Sequence, residues 1–214
     1  MEKQINSISH FVHFDRLNSI SDLPGSVFDN TLLEPKDYCF SSFYVIINQS
    51  KSPNNSNWIN DFVFNDKIII EHGDEEFITN LNNLKYCFDK IDENKIVKEI
   101  IFENVRRTNY SDKPSRFSSL FIADVVNAEQ WGRCLINSSN LQSNLITLEL
   151  IQKKHLLKVY PSFLLVTNDV DLIIMEDAAH LYWMGKLNPI LPNSLPEYLF
   201  VGKAIVLNKL LMNK

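Results

Sequence analysis

Three short stretches carry the residue types that could do chemistry. Ser9-His10-Phe11-Val12-His13-Phe14 sets two imidazoles in an apolar run. Pro114-Ser115-Arg116-Phe117-Ser118-Ser119-Leu120-Phe121 opens another apolar run with a guanidinium and three hydroxyls. Leu195-Pro196-Glu197-Tyr198-Leu199-Phe200 puts one carboxylate at the mouth of a third. An imidazole beside a sugar donates or accepts hydrogen bonds. An arginine fork suits phosphate oxygens because it donates two parallel bonds. A carboxylate stabilises positive charge that develops on a neighbouring carbon. Each stretch also has a plainer reading: a core or surface histidine, a turn held by an arginine ion pair, and an exposed acid at the start of a strand.

Other chemistries lack their residues. Only five glycines are spread along the chain, and no phosphate-gripping glycine loop is formed. There is no His-x-x-x-His, Cys-x-x-Cys or paired-carboxylate helix to hold a metal, so none is expected. No Gly-x-Ser-x-Gly elbow is present. Three widely spaced cysteines, Cys39, Cys87 and Cys134, read as reduced, half-buried cytosolic thiols, and the chain as cytoplasmic.

The elements that must position these stretches follow from composition and spacing. The 214 residues suit one domain, 1–214, and 45% hydrophobic with 22% charged content is that of a globular protein. A net charge of −5 argues against a broadly basic nucleic-acid coat. The polar start and the shortness of every apolar run predict no signal peptide and no membrane partner.

Residues 8–20 begin as a strand, and Ser21-Asp22-Leu23-Pro24-Gly25 makes a turn. Phe40 to Ile47 reads as a strand and Gln49 to Asn57 as an exposed loop. Phe77, Ile78, Leu81, Leu84, Phe88 and Ile91 recur at helical steps, and Ile96, Val97, Ile100, Ile101 and Val105 form a second apolar face. Pro114 stops that second helix. Strands are expected over 117–123, 145–150 and 197–207, with an edge strand or bend at 159–166 around Pro161. Helices are expected over 127–135 and 177–185, the latter ending at Gly185. Lys153-Lys154-His155 with Lys158 reads as a solvated loop or a nucleic-acid contact, and Arg106-Arg107 as cations closing a helix. The fold class is α+β, with helices between strand-rich ends.

Taken together, the three stretches resemble the ADP-ribosyltransferase superfamily. Phe121-Ile122-Ala123-Asp124 leading into Asn127-Ala128-Glu129-Gln130-Trp131-Gly132 is similar to the strand-then-helix segment of bacterial rifampin-type ADP-ribosyltransferases. Glu103, Arg106-Arg107, Pro114-Ser115-Arg116-Phe117, Ser119-Leu120-Phe121 and Tyr182-Trp183-Met184-Gly185 also look like a bacterial domain family of unknown function, itself a relative of the transferases. The likeness lies mostly in residues 100–207.

The resemblance implies a split mixed β-sheet core of ADP-ribosyltransferase type, with a helical segment around residues 75–108. It implies NAD as the substrate and mono-ADP-ribosyl transfer to a macromolecular acceptor, protein or nucleic acid. His13 would be the first catalytic residue, with His10 the fallback. The Ser118/Ser119 pair would supply the second, Ser119 orienting the carboxamide, and Glu197 the third. Arg116 would meet the pyrophosphate, and Tyr182 would cover a ring. Ser119 or Leu120 stands where the rifampin-type pattern has tyrosine, so a catalytically degenerate, partner-binding module is the alternative. A toxin or defence effector checked by an inhibitory antitoxin protein is the role that the resemblance suggests.

Overall fold

A computed structural model describes residues 10–15, 23–32, 93–138, 143–164 and 172–212. In chain order these form β1 (His10–Asp15), β2 (Val27–Asp29), α1 (Glu93–Asn109), β3 (Leu120–Asp124), α2 (Ala128–Ser138), β4 (Ser143–Val159), α3 (Leu172–Trp183) and β5 (Glu197–Met212). Single 3-10 turns cover Val125–Asn127 and Pro161–Leu164. The α+β class holds. Every described register is antiparallel, whereas a mixed sheet was expected. The described residues gather into two compact units. Among them no helix is long and apolar enough to cross a membrane.

The first unit lies within residues 10–32, 119–158 and 195–212 and holds the sheet. Its strand order is β2-β5-β3-β1-β4, and β4 pairs with β5 as well. Leu120, Ile146, Leu148, Leu199, Phe200 and Ala204 are fully buried. Leu199 and Phe200 are successive residues of one strand and so point to opposite faces. Both faces of the sheet are therefore covered at this point.

Two small side chains let the sheet pack this tightly. A β-carbon on Gly202 would sit 2.0 Å from the Gln152 carbonyl oxygen of β4 and 2.8 Å from the Phe200 ring. Only glycine allows that approach. Buried Asn30 follows β2 and ties it to the same place in β5. Its amide donates to the Phe200 carbonyl at 3.0 Å, and its side-chain oxygen accepts from the Gly202 amide at 2.8 Å. Its own backbone N–H donates to the Gly202 carbonyl at 3.2 Å.

The second unit lies within residues 93–118 and 159–194 and is helical. On α1, Lys98, Ile101, Phe102 and Val105 are buried at three- and four-residue steps. Lys98 survives burial by carrying its amine to the Leu164 carbonyl, 3.0 Å away at the end of a 3-10 turn. On α3, Met175, Ala179, Tyr182 and Trp183 form the matching buried face. The Trp183 indole donates to the Phe102 carbonyl at 2.7 Å, which locks the two helices together. Gly185 ends α3 at φ 65°, a conformation that suits glycine.

Several expectations are corrected here. The strand expected from Phe117 begins at Leu120, because residues up to Phe117 are spent in a turn. Residues 161–164 form a helical turn rather than an edge strand, and Pro161 fits the first position of such a turn. Lys153, Lys154, His155 and Lys158 lie on β4, not in a loop. The helix expected at 177 starts at Leu172, and β5 runs to Met212 as one strand. Cys134 is an exposed free thiol. The readings for 40–47, 49–57 and 77–91, and for Cys39 and Cys87, fall outside the described residues.

Candidate functional site

The strands bearing Glu197 and His13 flank β3, the strand that Ser119 immediately precedes, in the order β5-β3-β1. The register of β3 on β5 runs from Leu120↔Phe200 to Ile122↔Tyr198. The register of β1 on β3 covers Phe11↔Asp124 and Val12↔Ala123 and ends there, although both strands continue. At that end the His13 ring takes over. Its Nδ1 lies 2.8 Å from the Phe121 carbonyl oxygen, and the ring is 6% exposed. A carbonyl oxygen only accepts, so Nδ1 carries the proton. On its other side β1 stays fully paired with β4, with His13 opposite Ile146.

The pleat assigns the faces. Phe11 and His13 are two residues apart and share one face. The Tyr198 ring meets the Phe11 ring edge-on, with centroids 5.3 Å apart. The Tyr198 hydroxyl also donates to Asp124 Oδ2 at 3.5 Å. Phe11, His13, Asp124 and Tyr198 therefore share a face. Glu197 precedes Tyr198 in the strand and takes the opposite face, with Val12 and His10. His10 is exposed and pairs with Glu149 of β4.

Ser119 is fully buried just before β3, and Ser118 is half-buried in the second unit. Ser119 precedes the first residue of β3, Leu120, which lies three residues from Ala123, the position next in register to Glu197. At the usual strand rise Leu120 and Ala123 are about 10 Å apart. The fold thus brings the three strands together without bringing His13, Ser119 and Glu197 onto one spot.

Arg116 and Tyr182 sit inside the second unit, and they meet each other. Arg116 Nε and Nη2 donate to Glu99 at 2.7 and 2.8 Å, a two-pronged pair, and Nη1 donates to the Tyr182 hydroxyl. The guanidinium also lies 5.2 Å from the Tyr182 ring centroid. Tyr182 is fully buried, edge-on to both Phe102 and Trp183. Their chemistry is spent on holding α1, α3 and the turn before β3. A second buried anchor is Glu103, which accepts from Arg106 at 2.8 and 3.1 Å, Arg107 at 3.3 Å and Ser115 at 3.0 Å. Arg106 Nη1 also donates to the Lys113 carbonyl at 2.9 Å. Arg106 and Glu103 therefore tie the end of α1 to the turn that follows it.

Sequence reasoning placed Asp124 and Trp131 in a strand-then-helix segment but missed their contacts beside the candidate acid. Asp124 caps the turn after β3 by accepting from the Asn127 amide at 2.9 Å, and it also receives Tyr198. The Asp-x-x-Asn spacing signals that cap. The Trp131 indole of α2 donates to the Pro196 carbonyl at 2.9 Å, one residue before Glu197. Nothing in the spacing signals this contact. Among the described residues, no three of His, Cys, Asp and Glu cluster as a metal site would need.

No curated protein matches the chain. Residues 11–212 match the DUF2441 family, described as a protein of unknown function. That match spans β1 through β5, and the chain belongs to this family.

Proposed function

We propose that the chain is a mono-ADP-ribosyltransferase that cleaves NAD and passes ADP-ribose to a protein or nucleic-acid acceptor. The observation that carries this reading is the seam between β1 and β3. Strand pairing stops after Val12↔Ala123, and the His13 ring bonds the Phe121 carbonyl instead. A seam where neighbouring strands cease to pair supports the split sheet that the resemblance implies. The histidine-bearing strand, the strand that follows the serine pair and the acid-bearing strand run side by side in the sheet. The sheet core of ADP-ribosyltransferase type belongs to the same proposal.

Cleaving the nicotinamide–ribose bond builds oxocarbenium-like charge on the sugar, as in glycoside hydrolysis. In this reading Glu197, on one face of the sheet, holds a ribose hydroxyl and steadies that charge, while His13, on the other face, acts through the β1–β3 seam that its bond to the Phe121 carbonyl closes. Arg116 and Tyr182 take no part. Their atoms are committed to Glu99 and to each other.

A second reading is favoured by the opposite faces of His13 and Glu197: a transferase-like fold without catalysis, serving to bind a partner such as an inhibitory protein. Labelled NAD offered with protein, RNA and DNA acceptors separates the two. The first reading expects label transfer or free nicotinamide from the wild type and none from Glu197→Gln. Equal turnover in both proteins removes Glu197 from the chemistry. Absence of NAD binding by calorimetry, with a protein partner co-purifying, supports the second reading.

A further inference from the structure

We infer that Trp131 is a positioning residue for Glu197. The inference rests on the transferase reading for its consequence in catalysis, and on two hydrogen bonds for its geometry. Trp131 Nε1 donates to the Pro196 carbonyl at 2.9 Å. Proline has no N–H, so this carbonyl is the only main-chain hydrogen-bonding group at the residue before the acid. On the other side of the acid, the Tyr198 hydroxyl reaches Asp124 Oδ2 at 3.5 Å. Asp124 and Trp131 flank one short connection, Asp124 at the end of β3 and Trp131 in the first turn of α2. β3 ends at Asp124, one 3-10 turn capped by Asp124 follows, and α2 begins at Ala128.

The residues before and after Glu197 are thus held by the first turn of α2 and by the end of β3, and Glu197 lies between them, half-buried. Packing alone would not direct an indole N–H at a carbonyl, since a phenylalanine fills similar space. A carboxylate that must sit against a sugar carbon tolerates little displacement. An error of 1 Å can cost about a hundredfold in rate. Trp131 holds the start of β5 so that the carboxylate is aimed before substrate arrives.

Trp131→Phe keeps an aromatic ring and removes the donor. Two readouts are taken on the folded full chain: kcat and KM for NAD cleavage, and the carbon-13 carboxyl resonance of Glu197 through a pH titration. The expected result is a fall of about tenfold in kcat with KM within twofold, and a displaced Glu197 resonance and titration curve. An unchanged kcat with an unchanged Glu197 resonance overturns the inference. If the wild type cleaves no NAD, the transferase reading fails, and the resonance alone decides. A Glu197 signal that is the same in both proteins then overturns the positioning role. Should Trp131→Phe not fold, replacement by benzothienylalanine removes only the N–H and is read in the same way.

Discussion

His13 Nδ1 and the Phe121 carbonyl oxygen lie 2.8 Å apart, joining β1 to β3 where the strand ladder between them has ended. The ring is 6% exposed, so the bond is made largely out of water. Replacing His13 with alanine removes the bond and opens space in the core. A loss of about 2 kcal/mol is expected in urea unfolding, a sum of hydrogen-bond and cavity costs. In the transferase reading, the same variant also loses NAD binding, measured by calorimetry on the folded fraction.

Arg116 is expected to answer to stability, held as it is by Glu99 and Tyr182. Its side chain is 7% exposed and that of Glu99 14%, and truncating one member leaves a buried charge alone. Arg116→Ala is expected to cost about 3 kcal/mol in chemical denaturation. The double variant Arg116→Met with Glu99→Leu costs less than Arg116→Ala, because no orphaned charge remains. NAD affinity, where present, is unchanged in the folded double variant. A large drop in affinity would return Arg116 to the pyrophosphate.

Gly202→Ala is the harshest single methyl addition available in the sheet. The new carbon would stand 2.0 Å from a main-chain oxygen of β4, and a backbone cannot step aside as a flexible side chain can. The expected outcome is a loss of at least about 4 kcal/mol, read as a shifted denaturation midpoint or a failure to recover soluble protein.

Asp29 gives the chain an acid-sensitive tie between β2 and β5. The Thr31 hydroxyl and amide, at 2.7 and 2.9 Å, and then the Lys203 ammonium at 3.1 Å hold its pKa down from 3.8 to about 2. A carboxylate with a lowered folded pKa contributes stability above its unfolded pKa and loses it as the pH falls toward the folded one. Wild type is therefore expected to lose more stability than Asp29→Asn between pH 4 and pH 2. Parallel melting curves for both proteins across that window would contradict the tie.

Where the structure agrees with the sequence, the signal was local. The period of Ile101 and Val105 and the stop at Pro114 mark α1, and Gly185 marks the end of α3. Where it differs, a distant partner decides. Lys153 and Lys154 look like loop residues, yet they lie on β4, which pairs with β5 late in the sequence. Phe117 looks like strand, but Ser115 Oγ accepts its amide at 3.1 Å and keeps it in a turn. The candidate site divides in the same way. That His13 and Glu197 belong to strands was legible from their apolar flanks, whereas their strands' sharing one five-stranded sheet was not. The face each takes depends on register, and a shift of one residue in β5 would reverse it. Arg116 was legible as a polar anchor, but its partner Glu99 lies 17 residues earlier on another element.

β5 follows every other described element in the sequence, yet it lies between β2 and β3 and also touches β4. Asn30 waits for a carbonyl 170 residues downstream. While the chain is being translated, β1, β3 and β4 can pair among themselves, but β2 and the open edge of β3 wait for β5. Closing so long a loop is slow. Until β5 leaves the ribosome the nascent sheet stays incomplete. A premature stop codon anywhere before residue 197 would leave an aggregation-prone fragment for the cell's proteases, rather than a smaller working protein.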